Sequence, residues 1–230
     1  MAKISIQNIS KVFGPQPDQA LELAAEGASR ADILRKTRTT VALRDISLDI
    51  TDSELLVIMG LSGSGKSTLL RCLNGLIMPS TGRILVDDAD ITTMNAKGLR
   101  HVRQRCFGMV FQNFALFPHR TVLQNTAFGL EVMGVSETQR LKKSEEMLER
   151  VGLAQWKNSY PGELSGGMKQ RVGLARALAL EPEVLLMDEA FSALDPLIRQ
   201  EMQDELLSLQ EDIQKTIVFI THDLNEAFKL

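Results

Sequence analysis

Gly60-Leu61-Ser62-Gly63-Ser64-Gly65-Lys66-Ser67-Thr68 fills every position of the pattern G-x-x-x-x-G-K-[ST] and follows the apolar run Leu55-Leu56-Val57-Ile58-Met59. The run reads as a buried strand, and the residues from Lys66 onward read as a helix. Glycines let the backbone curl until successive N–H groups face one cavity, and the helix start adds the positive end of its dipole. Such a cavity suits a polyphosphate. In it Lys66 reaches the β- and γ-phosphates, and the Ser67 hydroxyl is a hard oxygen donor for a bridging Mg²⁺.

Working outward, Ile4-Ser5-Ile6-Gln7-Asn8-Ile9 alternates as a half-buried strand that a turn at Lys11-Val12-Phe13-Gly14 closes. Residues 15–40 break the β pattern and read as an insertion of two helices. The first spans 18–26 and is stopped by Gly27; the second spans 31–36 and is opened by the capping pattern Ser29-Arg30-Ala31-Asp32. Ile46, Leu48 and Ile50 then alternate as a strand. Downstream, the helix from Lys66 ends near Asn74-Gly75, a turn at Pro79-Ser80-Thr81-Gly82 precedes the strand Ile84-Leu85-Val86, and 97–105 is a surface helix. Residues 107–111 form a strand ending at Gln112. The pattern over 113–160 is helical, with an amphipathic segment at 137–151.

Leu164-Ser165-Gly166-Gly167-Met168-Lys169-Gln170-Arg171 leads into a helix stopped before Pro182. The apolar strand Val184-Leu185-Leu186-Met187 ends in Asp188-Glu189, Pro196 opens a helix to about residue 214, and a strand over 216–220 delivers Thr221-His222-Asp223. Apolar strands alternating with helices imply an α/β fold with a mostly parallel sheet, whose ligands sit at the carboxyl ends of the strands. The polar motifs fall at such ends. Adjacent carboxylates there point in different directions, so Asp188 can hold Mg²⁺ while Glu189 orients and deprotonates an attacking water. For His222 the residues alone leave a γ-phosphate contact and a structural role both open.

At 230 residues, 44% hydrophobic and 24% charged, the chain suits one large domain with a subdomain. A formal net charge of −3 gives no electrostatic footprint for nucleic acid. No apolar run reaches the ~20 residues a bilayer span needs, and Met1-Ala2-Lys3-Ile4-Ser5 lacks the apolar centre of a signal peptide, so the expected location is the cytoplasm. Cys72 and Cys106 show no metal-ligand spacing and read as small buried hydrophobes.

Ser165, Gly166 and Gly167 at a helix start form a second anion site, which one ATP cannot occupy together with the phosphate loop of the same chain. With that feature the sequence resembles the ATP-binding-cassette (ABC) ATPases over nearly its whole length, through the phosphate loop, Gln112, the signature at 164–171, Asp188-Glu189, Ser192-Ala193-Leu194-Asp195 and His222. The resemblance implies a P-loop NTPase in which 1–230 form one domain, with an antiparallel β subdomain and a helical subdomain beside the central sheet. It implies a head-to-tail dimer in which ATP and Mg²⁺ meet Gly60 through Thr68 in cis, while Ser165, Gly166 and Gly167 of the other copy cap the γ-phosphate. Gln112 would sense metal and water, Asp195 would link the two sites, and His222 would hold the γ-phosphate. Phe13 matches the aromatic position that stacks on adenine, its other reading being a core phenylalanine. Helices of a membrane permease would dock near 112–123, where Phe114, Leu116 and Phe117 are either groove or core residues.

More narrowly, the 15–40 insertion and Met187-Asp188-Glu189-Ala190-Phe191-Ser192-Ala193-Leu194-Asp195 look like the ATP-binding subunits of glycine betaine/proline importers. That likeness implies a peripheral subunit on the cytoplasmic side of the plasma (inner) membrane, working with two permease subunits and an external substrate-binding protein. Those proteins continue past the position of Leu230, so a C-terminal truncation is expected. The alternatives are a soluble cassette of the DNA-repair or translation type, an importer subunit for another solute, a regulatory cassette without catalysis, and a phosphate-loop kinase.

Overall fold

The computed structural model describes residues 2–230; Met1, the first residue of the N-terminal stretch, lies outside them. The chain runs β1 (Ala2–Phe13), α1 (Pro17–Ala25), α2 (Arg30–Thr37), β2 (Thr40–Thr51), β3 (Leu55–Met59), α3 (Lys66–Leu73), β4 (Thr81–Val86), β5 (Ala89–Asp90) and α4 (Ala96–Cys106). It continues through β6 (Phe107–Phe111), α5 (Val122–Val132), α6 (Glu137–Arg150), α7 (Gly166–Leu178), β7 (Val184–Asp188), α8 (Pro196–Ile213), β8 (Thr216–Thr221) and α9 (Leu224–Lys229). Two compact units result, one from Met1–Asp52 with Gly60–His101, the other from Ser53–Met59 with Val102–Leu230.

The first unit is built on a four-stranded antiparallel sheet in the order β2-β1-β4-β5. The turn expected at 11–14 does not form: Lys11, Val12 and Phe13 pair with Leu43, Val41 and Thr40, so β1 runs on to Phe13. The reason is packing, since Val12 and Val41 share a small core with Ala20, Ala24 and Ile33 of the two helices that connect these strands. β4 likewise starts earlier than its apolar residues suggest, because Thr81 pairs with Ser10. Ser29 caps α2, accepting from Asp32 N at 3.1 Å.

The second unit carries a parallel four-stranded sheet in the order β3-β8-β7-β6. β7 and β8 are buried along their whole length. β3 is less buried than its sequence suggests, half-exposed along its length and open at Met59, because it forms the edge of the sheet. Phe191 and Phe219 meet at 5.3 Å in the core that the sheet shares with α7 and α8. A second core joins α5 and α6 to α7 through Val122, Leu148, Val151, Leu164, Val172 and Ala175.

Both cysteines are buried and free, and burial pushes the Cys72 thiol up to about 11, as suits a small core residue. Among the described residues no helix is long and apolar enough to cross a membrane.

Candidate active site

The strand register sets the site. Met59 pairs with Thr221, Ile220 with Asp188, and Asp188 with Phe111, so the four parallel strands end in one row. Directly beyond that row in the chain come Gly60, His222, Glu189 and Gln112.

Within the first unit, the loop from Gly60 to Gly65 turns on left-handed glycines at Gly63 (φ 75°) and Gly65 (φ 103°). Gly65 also lies against β2: a Cβ there would meet the Ala42 carbonyl at 2.5 Å. Lys66 is buried and folds back, donating to Gly60 O at 2.8 Å and Leu61 O at 3.2 Å, which holds its ammonium across the loop. Leu61, Ser62, Gly63 and Ser64 are exposed, while Ser67 and Thr68 are half-buried in the first turn of α3. That turn has no acidic residue, so no carboxylate competes for its N–H groups. Phe13 is not a core residue: it is 43% exposed, with the Lys11 ammonium 5.0 Å from its ring centroid.

Within the second unit, Asp188 is buried at the end of β7 and Glu189 follows it in a left-handed conformation, φ 47°, rare for a residue with a side chain. Glu189 N donates to Ile220 O at 3.0 Å, and its carboxylate faces the end of β8. Glu189 Oε2 lies 3.0 Å from His222 Nδ1 and 3.5 Å from Gln112 Nε2. Gln112 also donates to Ser192 Oγ at 3.1 Å, and Ser192 donates to Glu189 O at 2.8 Å. Against a carboxylate that only accepts, Nδ1 of His222 is the nitrogen placed to donate. The geometry thus brings Gln112, Glu189 and His222 together as one network.

Ser165 caps α7 through Met168 N at 3.3 Å, leaving a helix start with no acidic residue in its first turn. Gly167 is required by packing, because a Cβ would meet Ile198 Cγ2 at 2.4 Å. Asp195 caps α8 by accepting from Ile198 N at 3.1 Å. The signature and the Asp195 loop therefore meet at Ile198, a contact with no local signature in the sequence.

Three further residues escaped the sequence reading. Arg176, in the apolar face of α7, donates to Ala115 O at 2.6 Å and Phe114 O at 2.9 Å, and burial lowers its guanidinium from the usual value. It fixes the two left-handed residues Phe114 and Ala115 just beyond Gln112. Asn125 is fully buried and bonds to Phe117, Arg120 and Thr121. Arg199 of α8 is the third. An arginine inside Val172-Gly173-Leu174-Ala175-Arg176-Ala177-Leu178 was the available signal for Arg176, since a charge in an apolar stretch must find partners. Of the apolar residues near 112–123, Phe114 and Leu116 pack against the two cores. Phe117 instead lines an open groove of about 280 Å³ with Met109, Phe111, Phe128 and Leu180.

The ABC transporter family model matches residues 43–192. The glycine betaine/proline betaine transport system ATP-binding protein ProV of Escherichia coli K12 is 55% identical over 228 residues, covering 99% of this chain and 57% of ProV. The glycine betaine transport ATP-binding protein OpuAA of Bacillus subtilis 168 is 54% identical, covering 99% of this chain and 54% of OpuAA. The chain thus spans a little over half the length of these relatives. Among solved structures, the dimeric MJ0796, a bacterial ABC transporter cassette, superposes with a TM-score of 0.80 at 31% identity, covering 98% of this chain and 90% of that one. A second dimeric MJ0796 structure, of a post-hydrolysis state bound to ADP and Pi, matches equally well.

Proposed function

The chain belongs to the ABC transporter family, and from that premise we propose that it hydrolyses ATP to drive membrane import of a compatible solute such as glycine betaine or proline. On this reading 1–230 act as one ATPase domain. The phosphates lie in the loop from Gly60 to Thr68 under the Lys66 ammonium, and the exposed Phe13 ring stacks on adenine. Ser67 in the first unit, and Asp188 and Gln112 in the second, each carry an oxygen of the kind a hard cation takes, so the chemistry of each suits Mg²⁺, which when bound would neutralise phosphate charge.

Glu189 takes a proton from the attacking water, and Gln112 and His222 hold its carboxylate in place. With Nδ1 engaged by Glu189, His222 has Nε2 left for the γ-phosphate. The helix start at Ser165, Gly166 and Gly167 serves the ATP of a second, head-to-tail copy, with Asp195 between the two sites. Closing on ATP and reopening after hydrolysis then drives the permease subunits, which receive solute from an external binding protein. The work is done peripherally, at the cytoplasmic face of the plasma membrane, and its partners include no nucleic acid. The groove lined by Phe117 beside the Gln112 loop is the apolar surface on offer to a permease helix.

The observation that carries the reading is the 3.0 Å approach of Glu189 to His222 with Gln112 alongside. Support for the solute comes from the likeness to the glycine betaine transport proteins ProV and OpuAA and from the two helices between β1 and β2. The test is uptake of labelled glycine betaine into vesicles holding the protein with its permease subunits. ATP-driven uptake lost in Lys66→Ala is the expected result, and hydrolysis without glycine betaine or proline uptake would reject the solute assignment.

A further inference from the structure

Arg199 reaches both loops that carry the hydrolytic network. From the second turn of α8 its guanidinium donates to three carbonyls of the segment after Glu189: Phe191 O at 3.2 Å, Ser192 O at 3.4 Å and Leu194 O at 3.0 Å. Its remaining nitrogen donates to Asp223 Oδ2 at 3.1 Å, on the residue after His222. Asp223 is itself held, since its other oxygen accepts from Asn225 N at 2.8 Å and its own N–H donates to Thr221 Oγ1 at 2.9 Å. The Arg199 side chain is only 25% exposed, with the buried Glu226 carboxylate 3.8 Å away to balance its charge.

These partners lie in one half-buried place, and a planar fork with five N–H donors is the group that can serve them together. An ammonium has the charge but not the reach to bridge carbonyls three residues apart and a carboxylate on another loop. We propose that Arg199 is a positioning residue for ATP hydrolysis, a clamp that holds the loop after Glu189 and the loop after His222 in register. The 3.0 Å Glu189–His222 approach depends on both loops, so slack in either lengthens it. The clamp also holds the carbonyl of Leu194, next to Asp195, so any displacement of Asp195 by a second copy is passed to His222. This inference rests on the reading of Glu189 as the base.

The test is steady-state MgATP hydrolysis by Arg199→Lys, Asp223→Asn, His222→Ala and the Arg199→Lys/His222→Ala double variant, with Glu189→Gln in parallel. Asn retains the helix cap that Asp223 provides, so Asp223→Asn reads the clamp even if Arg199→Lys fails to fold. A lost clamp lowers kcat about tenfold or more in each clamp variant, with KM for ATP changed by less than about twofold. The double variant falls no further than His222→Ala, because both changes act on the same carboxylate. Arg199→Lys or Asp223→Asn turning over at the wild-type rate, while Glu189→Gln is inactive, would overturn the clamp and leave the base assignment standing. A double variant whose loss is the product of the single losses would overturn it as well. Activity retained in Glu189→Gln would remove the base assignment and the clamp together.

Discussion

Glu189 Oε2 and His222 Nδ1 face each other at 3.0 Å from the ends of neighbouring strands, one in a left-handed turn and the other half-exposed. The contact ties the direction of the carboxylate to that of the ring. Removing the base should therefore cost far more than removing its partner. Glu189→Gln is expected to keep ATP affinity and lose about a hundredfold or more in kcat. His222→Ala should lose kcat too, by a smaller factor. Steady-state rates beside equilibrium nucleotide binding check both; near-normal turnover in Glu189→Gln would be incompatible with a general base at this position.

Gly167 is set by its neighbour before any ligand is considered. A methyl group there meets Ile198 Cγ2 at 2.4 Å, so Gly167→Ala should destabilise the protein by about 1–3 kcal/mol. Ile198→Ala in the same chain should recover part of the loss, because the space it vacates is where the methyl goes. Thermal melts of the two single variants and the double settle the point. Additive losses would mean that the clash is relieved elsewhere.

Asn125 makes four hydrogen bonds from full burial, accepting one from Phe117 N at 2.8 Å and donating to the carbonyls of Phe117, Arg120 and Thr121 at 3.0–3.1 Å. Asn125→Ala should cost on the order of 3 kcal/mol by stranding these groups. Asn125→Asp has nearly the same shape yet turns acceptors toward three carbonyl oxygens, so it should be worse than alanine. Denaturant midpoints at neutral pH give the order. Alanine worse than aspartate would mean the side chain fills space rather than bonding.

Glu205 supplies a pH effect. Burial raises its carboxyl above the ordinary value, Arg171 at 3.4 Å opposes the rise, and Glu201 adds to it. The folded chain then keeps this proton to higher pH than the unfolded chain does. Between the two values the folded state binds more protons, and stability falls as pH rises through the interval. Glu205→Gln removes that slope. Its Tm relative to wild type should improve as pH is raised from about 4 toward 7. A gap that stays constant or moves the other way would show that Arg171 outweighs burial.

The sheet and its chemistry were readable because they rest on local patterns. Four apolar residues ending in Asp188-Glu189, or five ending in Gly60, declare a strand and what lies at its carboxyl end. β3 was read as more buried than it is, since an apolar run says nothing about which strand becomes the edge. β1 outran its expected turn for a similar reason: Val12 is held by residues 20–41, and that contact is invisible in the strand itself. Arg176, Asn125 and Arg199 went unmarked because most of their partners are backbone groups, which every residue has. Their roles emerge only once the loops that display those carbonyls are in place.

On the proposed function, ATP is hydrolysed at a site completed by a second copy of the chain. The most direct test is MgATP hydrolysis per chain across a wide range of protein concentration, with Glu189→Gln as the blank and the assembly state sized at each point. Specific activity should rise with concentration and then saturate, in step with dimer formation. Constant, Glu189-dependent activity from a chain that remains monomeric throughout would mean that the site is complete within one copy.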